Sequence, residues 1–112
     1  MSEKILGKID RISLGMGGYQ DAMFGLHIDF KLSNGYHVSD GDCYWGYGIE
    51  AGKLTKWSES DREQKWGKIM TRIAKLCHQA KVDSFDKLKG IPVEVEIEYD
   101  GLKSWRILEE VL

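Results

Sequence analysis

One stretch of the chain constrains the fold more than any other, because its apolar residues follow the period of an α-helix. Ser60 and Glu63 have the S-x-x-E spacing of a capping box at its start. The apolar residues then recur at steps of three and four: Trp66, Ile69, Met70, Ile73, Ala74, Leu76, Cys77 and Ala80. The pattern predicts a single amphipathic helix over residues 60–80.

The segment before this helix has the two-residue period of a β-strand. Apolar residues at the even positions of 22–32 alternate with Met23, Gly25, His27, Asp29 and Lys31, which is typical of a strand with one buried face. A three-residue loop at 33–35, with Gly35 in the left-handed conformation, pairs Phe30 with Val38 on the apolar face. The sequence therefore predicts a hairpin in that register.

A second two-sided strand follows the helix at residues 91–99. A loop of Tyr99, Asp100 and Gly101 would pair Val95 with Trp105 on the apolar face, whereas a two-residue Asp100-Gly101 turn would place Trp105 and Ile107 on the glutamate face. We therefore predict a three-residue loop with Gly101 in the left-handed position.

Three further segments complete the predicted order of elements. Residues 5–14 are strand-like, but their apolar residues change parity between Ile9 and Ile12, which indicates a bulge or a strong bend. Residues 84–88 are compatible with one short helical turn, and residues 40–52 are predicted to be irregular. The order is three strands, the helix and two strands, which predicts an α+β fold: a small OB-like β-barrel, or a curved antiparallel sheet with the helix on one face. We favour the barrel.

Length and charge limit the number of domains and the function classes. The 112 residues predict a single domain, residues 1–112. The formal charge of −2, without any basic run, gives no support to non-specific duplex binding. The sequence has no apolar stretch long enough to span a bilayer, and its start has no signal-peptide pattern, so we expect a cytoplasmic protein without a membrane partner. Cys43 and Cys77 fit no metal spacing by themselves and are expected to be buried free thiols.

Several longer stretches resemble a known group of proteins. They are Tyr19-Gln20-Asp21-Ala22-Met23-Phe24-Gly25-Leu26, Leu88-Lys89-Gly90-Ile91-Pro92-Val93-Glu94-Val95 and Leu102-Lys103-Ser104-Trp105-Arg106-Ile107-Leu108. The chain resembles small proteins encoded in tailed phages and prophages, and the resemblance covers most of its length. That family has no assigned activity, so the resemblance transfers no catalytic residue. It implies a phage accessory protein in the cytosol of a bacterial host.

The candidate binding residues lie in two glycine-rich segments. The first, residues 15–21, lacks the lysine of a P-loop and is not followed by a helix, so a phosphate-binding turn is not indicated. The glycines either provide flexibility between two strands or allow a partner to approach the backbone closely. The second segment, residues 40–57, holds aromatic residues among glycines, which could be core anchors, a stacking platform for a base or a protein contact. The predicted binding residues are Tyr19, Gln20, Asp21, Tyr44, Trp45, Tyr47 and Trp57.

Catalytic and metal sites are not favoured by the sequence. No residue pattern joins His27, His37 or His78 to a nucleophile and an orienting partner. A tetrahedral site from His37, Cys43, Cys77 and His78 is weak, since Cys77 and His78 are adjacent and point about 100° apart on a helix. Asp40 and Asp42 lack the other ligands of an EF-hand loop. We predict no enzyme, no metal and no cofactor.

The resulting hypothesis is a non-enzymatic binding protein that inhibits or sequesters a host component, of the anti-defence type. Its partner would be a host protein or a nucleotide-like ligand, and an edge strand or the polar helix face could support a homo-oligomer. The alternative is an OB-like accessory protein that binds single-stranded nucleic acid. In that case Lys8, Arg11, Lys31, Lys53 and Lys56 would have to form a basic groove near the aromatic residues.

Overall fold

The computed structural model describes residues 2–52 and 55–112, and it has the α+β composition predicted from the sequence. Five strands form one antiparallel sheet in the order β3-β2-β1-β4-β5. The elements are β1 (Glu3–Gly17), β2 (Met23–Leu32), β3 (His37–Trp45), α1 (Glu59–Ala80), β4 (Pro92–Glu98) and β5 (Gly101–Ile107). Lys53, one of the basic residues considered above, lies outside the described residues.

The central strand β1 is longer than predicted and serves two neighbours. Its first part pairs with β4, from Glu3 to Lys8, and the pairing with β2 extends to Gly17. The register with β2 shifts between Ile9 and Arg11, so the predicted bulge is confirmed. Residues 15–17, which the sequence assigned to a loop, belong to this strand.

The first hairpin has the predicted register. Phe30 lies opposite Val38, and the backbone N–H of Leu32 donates to the carbonyl of Tyr36 over 2.8 Å. Gly35 has φ of 90°, which a residue with a side chain rarely adopts. The three-residue loop is therefore confirmed.

The second hairpin keeps the predicted register but reaches it through a different turn. Val95 lies opposite Trp105, as expected. The left-handed residues, however, are Tyr99 and Asp100, with φ of 54° and 62°, and Gly101 already begins β5. This geometry is a two-residue turn of type I′. A register shift after Glu96 inserts one extra residue in β5, and that bulge returns Trp105 to the apolar face.

The helix begins earlier than predicted, with a different cap. Ser58 is the N-cap, and its side chain accepts from the backbone N–H of Asp61 while the Asp61 carboxylate accepts from the N–H of Ser58. The predicted capping box of Ser60 and Glu63 is therefore wrong by two residues, because aspartate completes the same reciprocal pair as glutamate. Residues 85–88 form the predicted short helical turn.

The buried side chains form one cluster between the sheet and α1. The strands contribute Ile9, Leu26, Ile28, Phe30, Leu32, Val93, Val95 and Ile107, the helix contributes Ile69, Ile73, Leu76 and Ala80, and Leu88 comes from the connecting turn. Met70 and Ala74, which lie on the margin of the predicted apolar stripe, are exposed. Neither α1 nor any shorter helical turn in the described part of the chain is long and apolar enough to cross a membrane.

The sheet is curved but not closed, so the favoured barrel prediction is wrong. Closure would require backbone pairing between the outer strands β3 and β5, and the described residues pair only within the order given above. Side chains join these two strands instead: the Asp40 carboxylate accepts from Trp105 Nε1 and from Arg72 Nη2, both over 2.7 Å. Hydrogen-bonded side chains of Asp40, Arg72 and Trp105 thus lie between β3 and β5, where a closed barrel would have backbone hydrogen bonds.

Asp40 also explains why the third strand was difficult to predict. The side chains of Asp40, Asp42 and Tyr44 point to the helix side of β3, where apolar residues would be expected. Arg72 pairs with both carboxylates, so the alternation is polar rather than apolar on that side. Residues 40–45 are therefore strand, in place of the irregular segment predicted from the sequence.

Candidate functional site: an aromatic cluster around a buried arginine

A buried arginine lies at the centre of the aromatic residues. Arg62, in the first turn of α1, has only 2% of its surface exposed. Its guanidinium carbon lies 4.6 Å from the ring centroid of Trp57, 5.2 Å from that of Tyr47 and 5.8 Å from that of Trp66. These distances are typical of cation–π contacts. We call these four residues the Arg62 cluster.

The same guanidinium fixes the backbone of the segment that follows β3. Nη1 donates to the carbonyl of Gly46 over 2.5 Å and, more weakly, to that of Trp45 over 3.4 Å. Nη2 donates to the carbonyl of Ile49 over 2.8 Å and pairs with the Glu59 carboxylate. A planar group with several donors can serve three carbonyls at once, which a lysine ammonium cannot do with the same geometry. Arg62 thereby connects residues 45–49 to the start of the helix.

Edge-to-face contacts extend the cluster in both directions. The Tyr47 and Phe24 rings lie 5.3 Å and 5.7 Å from the Trp66 ring, both nearly perpendicular to it. On the other side, Tyr44 lies 5.8 Å from Trp57, again nearly perpendicular. Such T-shaped pairs are a favoured arrangement of aromatic rings, so the rings of the cluster stabilise one another.

An apolar groove opens beside the cluster, with a cavity volume of about 320 Å³. It is lined by Met16, Phe24, Gly46, Tyr47, Gly48 and Trp66, and we call it the apolar groove. Met16 is 56% exposed and Tyr47 is also exposed, so the groove is open to a partner. A smaller cavity of about 80 Å³ continues toward Leu14 and Met70. Exposed apolar surface of this kind, beside packed aromatic rings, is typical of binding sites.

The predicted binding residues divide into three groups in the structure. Tyr44, Tyr47 and Trp57 meet around Arg62, as described above. Trp45 contributes a backbone carbonyl to the cluster, but its side chain lies on the opposite face of the sheet, since alternation separates it from Tyr44. The structure therefore does not bring all the predicted aromatic residues into one site.

The third group, Tyr19, Gln20 and Asp21, forms an exposed turn between β1 and β2. Gln20 and Asp21 both have positive φ, a conformation with a steric cost for residues other than glycine. The backbone N–H of Gly46 donates to the carbonyl of Ala22 over 2.8 Å, which connects this turn to the aromatic segment. The turn is thus a neighbour of the apolar groove and not part of its lining.

Three of the basic residues considered for nucleic acid, Lys8, Arg11 and Lys31, lie on the other side of the sheet from the Arg62 cluster. Lys8 is opposite Lys31 in the β1–β2 ladder and Arg11 is opposite Asp29, and all four side chains point away from the helix. The two surfaces do not form the single groove that the alternative hypothesis requires. Lys56 is exposed in the segment before the helix cap.

The contacts and burial of Asp40 and of the two cysteines indicate structural roles. Burial alone raises the pKa of Asp40, but hydrogen bonds from Arg72 and Trp105 outweigh it, and the pKa of this carboxyl is below its usual value. Burial, with the nearby Asp42 carboxylate, raises the pKa of the Cys43 thiol. Cys43 and Cys77 are free thiols, half-buried rather than fully buried. Within residues 2–52 and 55–112 no three potential ligands among His, Cys, Asp and Glu lie close enough to hold a metal ion.

Sequence reasoning missed the residue that organises the cluster. Arg62 lies four positions before Trp66, on the same helical face as the apolar stripe, and that spacing was the available signal. Phe24 and Met16 were also missed, because alternation assigned Phe24 to the core and the glycine-rich segment concealed the strand around Met16. Comparison of the chain with protein-family models, with curated proteins and with solved structures finds no match.

Proposed function

We propose that this chain is a non-enzymatic binding protein that inhibits or sequesters a component of a bacterial host cell, and that it contacts a host protein through the apolar groove. The observation that carries the proposal is the exposure of Met16 and Tyr47 beside packed aromatic rings. Aromatic residues and methionine are enriched in protein interfaces, where a well-packed centre provides most of the binding energy. The phage resemblance supplies the cellular context.

The groove suits an apolar protein surface better than a charged small molecule. Its lining contains no charged side chain. Arg62, which contacts Tyr47 and Trp66 of the lining, is buried. Its two Nη groups already donate to three carbonyls and to Glu59, and its Nε is buried without a partner, so the guanidinium is not accessible to a phosphate. A nucleotide-like ligand would have its rings accommodated there but not its phosphates. We therefore place a protein partner ahead of a nucleotide.

The test is affinity capture from a bacterial lysate, with mass spectrometry of both proteins and small molecules. Met16→Glu puts a charge in the groove, and we expect it to abolish capture of the partner. Leu6→Glu is the matched control, because Leu6 lies on the same strand and has the same 56% exposure but is remote from the groove lining. Capture that persists in Met16→Glu, or a wild-type protein that captures neither a protein nor a ligand, would contradict the proposal.

The second candidate is an OB-like protein that binds single-stranded nucleic acid. In its support, the order β3-β2-β1-β4-β5 with a helix between β3 and β4 is that of an OB barrel opened between β3 and β5. Lys8, Arg11 and Lys31 also lie on the outer face of β1 and β2, and none of them forms an ion pair with another described residue.

A fluorescent single-stranded oligonucleotide separates the two candidates. If nucleic acid is the ligand, affinity falls steeply as salt rises, and Lys31→Ala weakens binding while Met16→Glu does not. Trp45→Ala should weaken it as well, since that ring lies on the same face of the sheet as Lys31. An affinity that is absent at moderate salt, or unchanged by Lys31→Ala, would remove this candidate.

A further inference from the structure

The part of β1 that extends past β4 has a free edge. The ladder with β4 ends at Lys8, and two backbone hydrogen bonds join Ile9 to Gly90 and Ile91 just beyond it. From residue 11 to residue 17, β1 pairs with β2 on one side, and no strand of the described chain lies on its other side. Alternate residues of this stretch therefore point a backbone N–H and C=O outward. We call residues 11–17 the free edge.

Apart from Arg11 at its start, the free edge lacks the features that normally prevent two sheets from joining. The outer strand β3 carries Asp40 and Asp42, and β5 carries Lys103 and Arg106 in ion pairs with glutamates. Such charges discourage another strand from adding to an edge. Residues 12–17, by contrast, read Ile-Ser-Leu-Gly-Met-Gly and contain neither charge nor proline. This edge is thus the one best suited to accept a strand.

Apolar side chains next to the free edge would also be covered by a strand that pairs there. Ile12, Leu14 and Met16 point to the helix side of β1, and Leu14 is 41% exposed. Met70 of α1, which lines the same small cavity as Leu14, is exposed as well. Backbone pairing would therefore bury apolar surface in the same step, which backbone hydrogen bonds alone would not do.

We propose that the free edge pairs with the free edge of a second copy of this chain, antiparallel and centred near Leu14, to give a dimer with one ten-stranded sheet. A two-fold axis there places Ile12 opposite Met16 of the second copy and Arg11 opposite its Gly17. No like charges face each other in this register. Arg11 also comes beside the turn that carries Asp21 of the second copy, so the charges at the ends of the contact are complementary. The inference goes beyond the proposed function and does not depend on it. Met16 belongs to both surfaces, so Met16→Glu would affect both the dimer and the groove, and the dimer is tested at a position outside the groove lining.

Gly15 is the position at which the dimer can be tested without disturbing the fold. A Cβ placed there meets no atom within 4 Å, and alternation directs it to the outer face of the sheet, away from the apolar groove. In the proposed dimer the two residues at position 15 are diagonal neighbours across the axis. Gly15→Lys and Gly15→Glu should each weaken the homodimer about two- to fivefold through like-charge repulsion. An equimolar mixture of the two variants should restore dimerisation.

Sedimentation velocity over a concentration series measures the dissociation constant of each sample. Gln64→Lys, which adds the same charge on the exposed side of α1, is the control and should dimerise like the wild type. Circular dichroism verifies that each variant is folded. The proposal is overturned by a wild-type chain that stays monomeric up to about 1 mM, by a Gly15→Lys dimer as tight as that of Gln64→Lys, or by a mixture no tighter than its components.

Discussion

Replacement of Arg62 by methionine tests whether one guanidinium holds the aromatic segment against the helix. The substitution keeps an unbranched side chain of similar length but removes the donors to the carbonyls of Gly46 and Ile49 and the cation between the rings. Gly46 is buried, so its carbonyl loses its partner at a cost of about 1–3 kcal/mol. Ile49 is exposed, and its carbonyl can bind water instead.

The cation–π contacts of the buried guanidinium add about 1–2 kcal/mol to this cost. Relief from burying a charge offsets part of the sum. We therefore expect Arg62→Met to lower the free energy of unfolding by about 3 kcal/mol, which is roughly 10–20 °C in Tm for a domain of this size. Arg62→Lys should lose most of the same stability, because an ammonium group cannot serve three carbonyls in this geometry.

Urea unfolding followed by circular dichroism measures this loss, and intrinsic fluorescence, to which Trp57 and Trp66 contribute two of the four tryptophans, gives a second signal. Glu63→Gln is the control, because this exposed neighbour of Arg62 on α1 should change stability by no more than about 0.5 kcal/mol. A change below about 1 kcal/mol in Arg62→Met would refute the organising role of the arginine. An Arg62→Lys variant as stable as the wild type would indicate that charge, rather than the fork of donors, is what matters.

Three further predictions concern the sheet. Because folding lowers the pKa of Asp40, this carboxylate stabilises the fold above its unfolded pKa of about 4, and the stabilisation is lost as pH falls through the folded pKa. In Asp40→Asn, Tm measured by thermal unfolding should therefore fall less steeply than in the wild type as pH is lowered from about 5 to 2. Gly25→Ala should destabilise the fold by about 1–3 kcal/mol in urea unfolding, because its Cβ would lie 2.4 Å from a backbone oxygen of β3. Gly15→Ala is the control and should change stability by less than about 1 kcal/mol, because a Cβ at that position meets no atom within 4 Å. Tyr99→Asn should raise Tm by a few degrees, because asparagine tolerates the left-handed conformation that the exposed Tyr99 adopts, and an unchanged or lower Tm would count against the turn assignment.

Local sequence rules were sufficient where one face of an element is apolar and its neighbour is close in the chain. The hairpin through Gly35 and the bulge near Ile9 follow from alternation and turn chemistry alone. The second hairpin gave the right register through the wrong turn, because a type I′ turn with a bulge and a three-residue loop place Trp105 on the same face. The alternation of apolar residues therefore predicts which face of the sheet a side chain occupies more reliably than it predicts the backbone dihedrals of the turn.

Long-range polar contacts were the part that sequence reasoning could not supply. The bridge from Asp40 to Trp105 spans most of the chain, and no local pattern predicts which polar residues will meet across the gap between β3 and β5. The sequence alone predicted no role for Arg62, and only the structure shows the aromatic neighbours that make its burial favourable. The composition of the two glycine-rich segments indicated binding sites, and in the structure both segments contribute residues to the lining of the apolar groove.

The double pairing of β1 has a consequence for the order in which the chain folds. Its contacts with β2 and, through β2, with β3 form between neighbours in sequence, whereas its contact with β4 joins Lys8 to Pro92. Closing that long loop costs about 2 kcal/mol more conformational entropy than closing a ten-residue one. We therefore expect the N-terminal three-stranded meander to form before the C-terminal hairpin docks, which pulse-labelled hydrogen exchange would detect as earlier protection in β2 than in β4. Until that docking occurs, the whole outward edge of β1 remains open, and the nascent chain depends on rapid completion of its last two strands to avoid premature association.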